Sequence, residues 1–363
     1  MSDLIRNEIR HLPDYQAIPD PVAVARELDI PALAKLDTNE SAYGPLPGVL
    51  DAITEAAQYI SRYPELNAAG LVGDVAGRYR LDPQGVVVGN GSAHLLEAVI
   101  KGVIRDGEEV LYSWRSFEAY PLIAAIAGAT GVPVLRAEDY GHSLPDILAA
   151  ITSRTRVVVL CNPSNPTGTY IPPDRVWGFV DQVPTDVVVV LDEAYYEFIT
   201  PSPAIDSLYA AAQRPNVVVL RSFSKAWALA GLRIGWLYSS PLLARSIAKC
   251  IVPFSVNFLA QAAARAALHQ EAAMLCRARE VAAERDRMVA ALRHHTADIP
   301  SSQGNFLWLP LYNASLPFAV QAKKWGFLVR AFDGEGVRVT IGTTMQNTRF
   351  VINYPDIMRH ARF

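Results

Sequence analysis

Cysteine is scarce in this chain, and the three present, Cys161, Cys250 and Cys276, share no paired spacing. An odd, unpaired set excludes a disulfide framework and a structural zinc site, and it predicts free, buried thiols. Histidines are few and scattered. Only His294 and His295 are adjacent, and neighbours on a helix point in different directions, so no metal centre is expected. A large excess of one charge is also missing: the net charge of −3 carries no sign of a nucleic-acid or membrane partner. No uninterrupted apolar stretch approaches the roughly 18 residues of a membrane-spanning helix. The N-terminus, Met1 to Glu8, meets charge before an apolar run can build, so no signal peptide is expected. Internal repeats and low-complexity segments are lacking. The class left by these exclusions is a soluble, cytoplasmic protein, and 363 residues suffice for two domains with their own cores.

Short valine-rich runs recur along the first two thirds: 86–88, 109–112, 132–135, 156–160, 187–191 and 217–220. Several are continuously apolar, as strands buried on both faces of a mainly parallel sheet must be. Helical patterns lie between them at 92–104, 118–127 and 172–180, which makes the class α/β with crossover connections. Beyond residue 238 the character changes. Ala-rich helices fill 259–292, the part from Glu271 to Leu292 carrying arginines on its polar side. Short strands at 305–310, 328–331 and 336–341 surround a helical run at 316–325. The expected organisation is an N-terminal arm over 1–36 (its proline-rich part, 13–31, extended), a large α/β domain over 37–258 and a smaller α+β domain over 259–363.

The segment Ser222-Phe223-Ser224-Lys225-Ala226-Trp227 through Leu232-Arg233-Ile234-Gly235 follows one of these strands. A lysine between two serines, with an arginine downstream, suits pyridoxal phosphate: the amine takes the aldehyde, while hydroxyls and guanidinium hold the phosphate. The competing reading is a surface lysine near a turn. Four further elements bear on the choice. Val88-Gly89-Asn90-Gly91-Ser92-Ala93 is a strand, a glycine turn and a helix start, where free N–H groups bind anions. Cys161-Asn162-Pro163-Ser164-Asn165-Pro166-Thr167-Gly168 is a rigid loop at the carboxyl end of a strand, where open α/β sheets place ligands. Leu191-Asp192-Glu193-Ala194-Tyr195 ends a buried strand in an aspartate, either a helix cap or the partner of a cationic ring nitrogen. Arg338, in the alternating run 336–341, lies on a solvated face or clamps a carboxylate with two parallel hydrogen bonds.

As a set these motifs resemble the fold-type I pyridoxal phosphate aminotransferases, specifically the histidinol-phosphate aminotransferase group, from Asn39-Glu40 to Ile341. The resemblance implies that Lys225 binds the cofactor covalently and moves the substrate proton. It implies that Asp192 pairs with the pyridine nitrogen, and that Asn165 and Tyr195 bind the phenolic oxygen. Ser222, Ser224, Arg233 and the Gly91-Ser92-Ala93 turn would cradle the phosphate, with Phe117 stacked on the ring. Tyr63, in Arg62-Tyr63-Pro64, is expected to reach the phosphate of a neighbouring subunit, which implies a homodimer with shared sites. Substrate would meet Arg338, Arg330, Asn165 and Tyr15, Arg330 at the position that takes a phosphate or the distal carboxylate of an amino donor.

Within the group, Asn39 to Pro47, Trp114-Arg115-Ser116-Phe117 and Val252-Pro253-Phe254-Ser255-Val256 look most like the actinobacterial aromatic (phenylalanine-type) enzymes. Trp114, Phe117 and Trp227 offer aromatic surface for a phenyl ring, against the ordinary alternative that each is core. Ala93-His94, Trp227-Ala228 and Gly342-Thr343-Thr344-Met345 depart from the family pattern; the first two bear on substrate choice. The expected activity is ping-pong transfer of an amino group between an aromatic L-amino acid and 2-oxoglutarate or another oxoacid. Its rivals are a histidinol-phosphate aminotransferase, a decarboxylase of phosphorylated amino acids and a cofactor-binding regulator.

Overall fold

Valine runs build the centre of the molecule. The computed structural model describes residues 7–10, 12, 20–29, 33–203 and 206–361. Its strands are β1 (Ala34–Leu36), β2 (Val86–Gly89), β3 (Glu109–Trp114), β4 (Thr130–Leu135), β5 (Thr155–Cys161), β6 (Val188–Asp192), β7 (Val217–Ser222), β8 (Gly235–Ser239), β9 (Phe306–Leu309), β10 (Phe327–Phe332) and β11 (Gly336–Thr340). β2 to β8 form a seven-stranded sheet in the order β2-β8-β7-β6-β5-β3-β4. β8 runs against both neighbours, so the other six point the same way.

Alternate residues of the central strands feed opposite cores. Val158, Leu160, Val189, Leu191, Val217 and Val219 enter the larger cluster, and Val157, Val159, Val188, Val190, Val218 and Leu220 enter the one on the other face. This is why these runs are apolar throughout rather than alternating. Each fully buried valine contributes about 1.5 kcal/mol or more. Helices cover both faces, including Ser92–Val103 and Ala119–Ile126 against one and Ala69–Tyr79 and Pro173–Val180 against the other.

The second sheet, β1-β10-β11-β9, takes its strands from both ends of the chain. Residues 34–36 pair in parallel with 327–329. Helix Ser315–Lys324 and the C-terminal helix Thr344–Ala361, the latter marked by no sequence signal, pack on it through Phe318 and Phe350, which meet each other, Phe350 also meeting the sheet's Phe327.

Three expectations are corrected. The proline-rich arm is not extended throughout, because Pro21–Glu27 is helical, with Asp20 as N-cap accepting from Val22 and proline at the first turn. The arginines of Glu271–Leu292 are not all on the polar face. Arg285 is buried and donates to the carbonyls of Phe198 and Gly304 and to Thr200, which satisfies loop carbonyls that no strand reaches. The cysteines are free, but only Cys161 is buried; Cys276 is exposed. Among the described residues no helix is long and apolar enough to cross a membrane.

Candidate active site

The carboxyl ends of β2, β3, β5, β6 and β7 lie along one edge of the large sheet, and the loops leaving them carry the residues singled out above. Lys225 follows β7. Its Nζ donates to the Thr38 carbonyl at 3.2 Å and lies 5.8 Å from the centre of the Tyr195 ring. Burial, then the guanidinium of Arg338, pull its pKa down from 10.5 to about 7, with Arg233 and Lys35 adding to the effect and Glu40 opposing it. A lysine in this state exchanges its proton near neutral pH.

Asp192 closes β6 inside the protein. Its Oδ2 accepts a 2.7 Å hydrogen bond from the Tyr120 hydroxyl, and its Oδ1 accepts from the Ala194 amide at 3.3 Å. Burial pushes the carboxyl pKa up, while the Tyr120 and Ala194 bonds and the charge of Lys225 hold it down. The amide bond from Ala194 has the form of a cap, but no helix of more than one turn follows. Tyr195 is buried and protonated, its hydroxyl accepting from Asn39 Nδ2 at 3.0 Å. Tyr120 and Asn39 were given no role by sequence reasoning, although Asn39 opens the segment to Pro47 quoted above and Tyr120 lies in the helical pattern 118–127.

The glycine turn and the lysine loop meet. Gly91 has φ +84° at the head of helix Ser92–Val103, and a Cβ there would lie 2.8 Å from Arg233 Nη2. A Cβ on Gly235 would lie 2.8 Å from the Ser92 amide. Arg233 Nη1 donates to the Ala230 carbonyl at 3.0 Å and approaches Ser224 Oγ at 3.5 Å, and the Ser224 amide donates to Ser222 Oγ. Helix N–H groups, two hydroxyls and a guanidinium thus come together where two glycines leave room, donors of the kind that bind an anion.

From the small sheet Arg338 crosses to the large one. Its Nη1 donates to Asn165 Oδ1 at 2.6 Å and its Nη2 to the Asp37 carbonyl. Arg330 pairs instead with Glu118, Nε and Nη2 lying 3.1 and 2.7 Å from one carboxylate oxygen. Phe117 is half-buried and packs edge-on against Tyr120, with ring centres 5.5 Å apart. Tyr63 is 81% exposed and touches Phe254, well outside this cluster in the single chain. Trp227 does not offer a surface for substrate: it is 1% exposed, packs on Phe223 and donates to Glu197. Trp114 is half-buried beneath the Arg115 guanidinium. Tyr15 lies outside the described residues.

Lys225, Asp192, Tyr195 and the Gly91–Arg233 turn thus gather at the carboxyl edge of the large sheet, with Arg338 reaching Asn165 there from the small one. Residues 31–353 match the family described as Aminotransferase class I and II, and the chain belongs to it. A Streptomyces avermitilis protein named aromatic amino acid aminotransferase is 41% identical over 350 residues, 96% of each chain. One of the same name from Thermobifida fusca is 45% identical over 318 residues, 88% of each. Histidinol-phosphate aminotransferase from Sinorhizobium meliloti, solved in complex with pyridoxal-5'-phosphate, superposes with a TM-score of 0.87 at 27% identity over 98% of both chains. The family resemblance read from the motifs holds, and the protein is an aminotransferase.

Proposed function

We propose that this protein is a pyridoxal phosphate-dependent aminotransferase of aromatic L-amino acids, with 2-oxoglutarate or another oxoacid as the second substrate. The observation that carries the proposal is the meeting of Lys225, Asp192, Tyr195, Asn165, Arg338 and the Gly91–Arg233 cradle at one sheet edge. The two relatives named above support the aromatic substrate class.

The residues fit the cofactor. The cradle offers a phosphate its N–H groups, its hydroxyls and the Arg233 guanidinium, which a Cβ on Gly91 would crowd. Asp192 offers a buried carboxylate to a ring nitrogen, and Tyr120 holds it in place and lowers its pKa against the effect of burial. Tyr195 and Asn165 stand ready for a phenolic oxygen, and Phe117 for the ring face. When bound, the cofactor supplies the electron sink and the amino-group carrier.

Everything else is done by the chain. Arg338 binds the α-carboxylate in a two-pronged contact, with Asn165 fixing the plane of its guanidinium. Lys225, uncharged for much of the time at neutral pH, takes and returns the proton at the substrate α-carbon. Burial of this edge keeps water from competing for that proton. Tyr63, exposed here beside Phe254, would complete the phosphate site of a second subunit, so the active form is a homodimer.

The test is the visible absorption of the purified protein with pyridoxal phosphate, before and after L-phenylalanine and, separately, histidinol phosphate. Bleaching by phenylalanine with phenylpyruvate formed is the expected result. Bleaching by histidinol phosphate alone assigns the histidine-pathway activity, and carbon dioxide released without oxoacid assigns a decarboxylase. No cofactor band at all refutes the role of Lys225.

A further inference from the structure

Arg330 and Arg338 are directly opposed on β10 and β11, and residues so paired project from the same face of a sheet. Both guanidiniums reach from the small sheet to the loops at the carboxyl edge of the large one, but they meet different chemistry. Arg338 donates to an amide and a backbone carbonyl, which are neutral acceptors. Arg330 places two nitrogens on the carboxylate of Glu118. Glu118 stands immediately before helix Ala119–Ile126, yet its side chain makes no capping bond to that helix. Its position therefore serves the arginine, not the helix end. Two further arginines near this wall, Arg115 and Arg136, are tied in the same way by Glu335. The buried Phe332 ring packs between two of them, 5.9 Å from the Arg330 guanidinium and 5.1 Å from that of Arg115.

We infer that Glu118 is a specificity-determining residue, resting on the reading of Arg338 as the α-carboxylate site of an aminotransferase. By neutralising Arg330 it sets beside the carboxylate seat at Arg338 a second seat that is electrically neutral. An uncharged aromatic side chain lies against that second seat at no electrostatic cost. A side chain carrying a second carboxylate or a phosphate must first displace Glu118 from Arg330 and leave a half-buried carboxylate without its partner. Selection against anionic side chains is thus built into the pair, and a dicarboxylate used as the second substrate enters by opening it.

The experiment is calorimetric titration of the cofactor-loaded protein with succinate and with 3-phenylpropionate, in wild type, Glu118→Gln, Arg330→Gln and the double variant. Glu118→Gln is expected to shift the ratio of the two Kd values by about tenfold toward succinate, the worth of one charge-assisted contact released from competition. In the Arg330→Gln background the same substitution is expected to leave the ratio within about twofold, because the effect runs through Arg330. An unchanged ratio in Glu118→Gln overturns the inference, and so does an equal shift with Arg330 removed. Glu118→Asp, which keeps the charge but draws it back, should give a smaller shift of the same sign. It replaces Glu118→Gln if that protein is not recovered, and an unmoved ratio in it counts against the inference equally. Failure of L-phenylalanine to bleach the wild-type cofactor band overturns the aromatic reading; the Kd ratios still judge Glu118 separately.

Discussion

Replacing Lys225 by methionine keeps the length of the side chain and removes a charge that the fold resists. In the cofactor-free protein the lysine pKa is about 7 against an ordinary 10.5, chiefly through burial and then through Arg338. Between those two values the unfolded chain holds a proton that the folded chain has released, so stability rises with pH, by up to ~1.36 kcal/mol per unit for one group. From pH 7.5 to 9.0 that amounts to about 2 kcal/mol, and below pH 7 this contribution is lost because the folded lysine is charged as well. The assay that needs no folding model is potentiometric: protons taken up on unfolding in urea at pH 8.5. Wild type should take up about one proton more than Lys225→Met. The variant should also lose about 2 kcal/mol of the pH-dependent gain between 7.5 and 9.0. Equal proton uptake by the two proteins would show that Lys225 keeps an ordinary pKa, and the argument for its proton transfer near neutrality would go with it.

Arg338→Gln removes both prongs of the proposed carboxylate clamp and should lower kcat/KM for L-phenylalanine by about 100-fold; initial rates of phenylpyruvate formation check this, and a loss below about threefold contradicts the role. Gly91→Ala forces a Cβ to a φ of +84° and to 2.8 Å from Arg233 Nη2. Cofactor affinity should fall at least about tenfold with the circular dichroism unchanged, whereas an unaltered Kd would place the phosphate elsewhere. Tyr120→Phe takes the donor from Asp192 Oδ2, so stability should drop by about 1.5–3 kcal/mol. The Asp192 pKa should rise further, carrying the acid limb of kcat/KM to higher pH; a limb that stays in place would assign Tyr120 to packing alone.

The large sheet was legible because strands buried on both faces leave continuous valine runs, and because β5, β6 and β7 end in the loops that carry the chemistry. The meeting of Gly91, Ser222, Ser224 and Arg233 was legible for a similar reason: they sit in two local motifs, each within a dozen residues, that the structure brings together. What could not be read were the partnerships across the fold. Arg285 has the pattern of one more solvated arginine on a helix, and nothing nearby in sequence announces the carbonyls of Phe198 and Gly304 that it satisfies. Arg330 was expected to meet a substrate phosphate or distal carboxylate; the carboxylate it meets in the structure is that of Glu118, 212 positions away, which nothing near it in sequence announces. For Trp227 the sequence left a pocket wall and the core both open, the core being the ordinary reading, and the loop turns it into the core.

The loop at residues 37–39 joins these observations. It leaves β1, which belongs to the small sheet, and at once spends its polar groups on both halves of the site. Asp37 gives its carbonyl to Arg338, Thr38 its carbonyl to Lys225, and Asn39 its side-chain amide to Tyr195. Asn39 is held in place by Thr340, at the end of β11, through a pair of 2.9 Å bonds, and it adopts a φ of +54°. Two of these contacts use main-chain carbonyls, which any residue type supplies, so they leave no trace in composition or periodicity. They nevertheless tie Arg338, Lys225 and Tyr195 together through three consecutive residues.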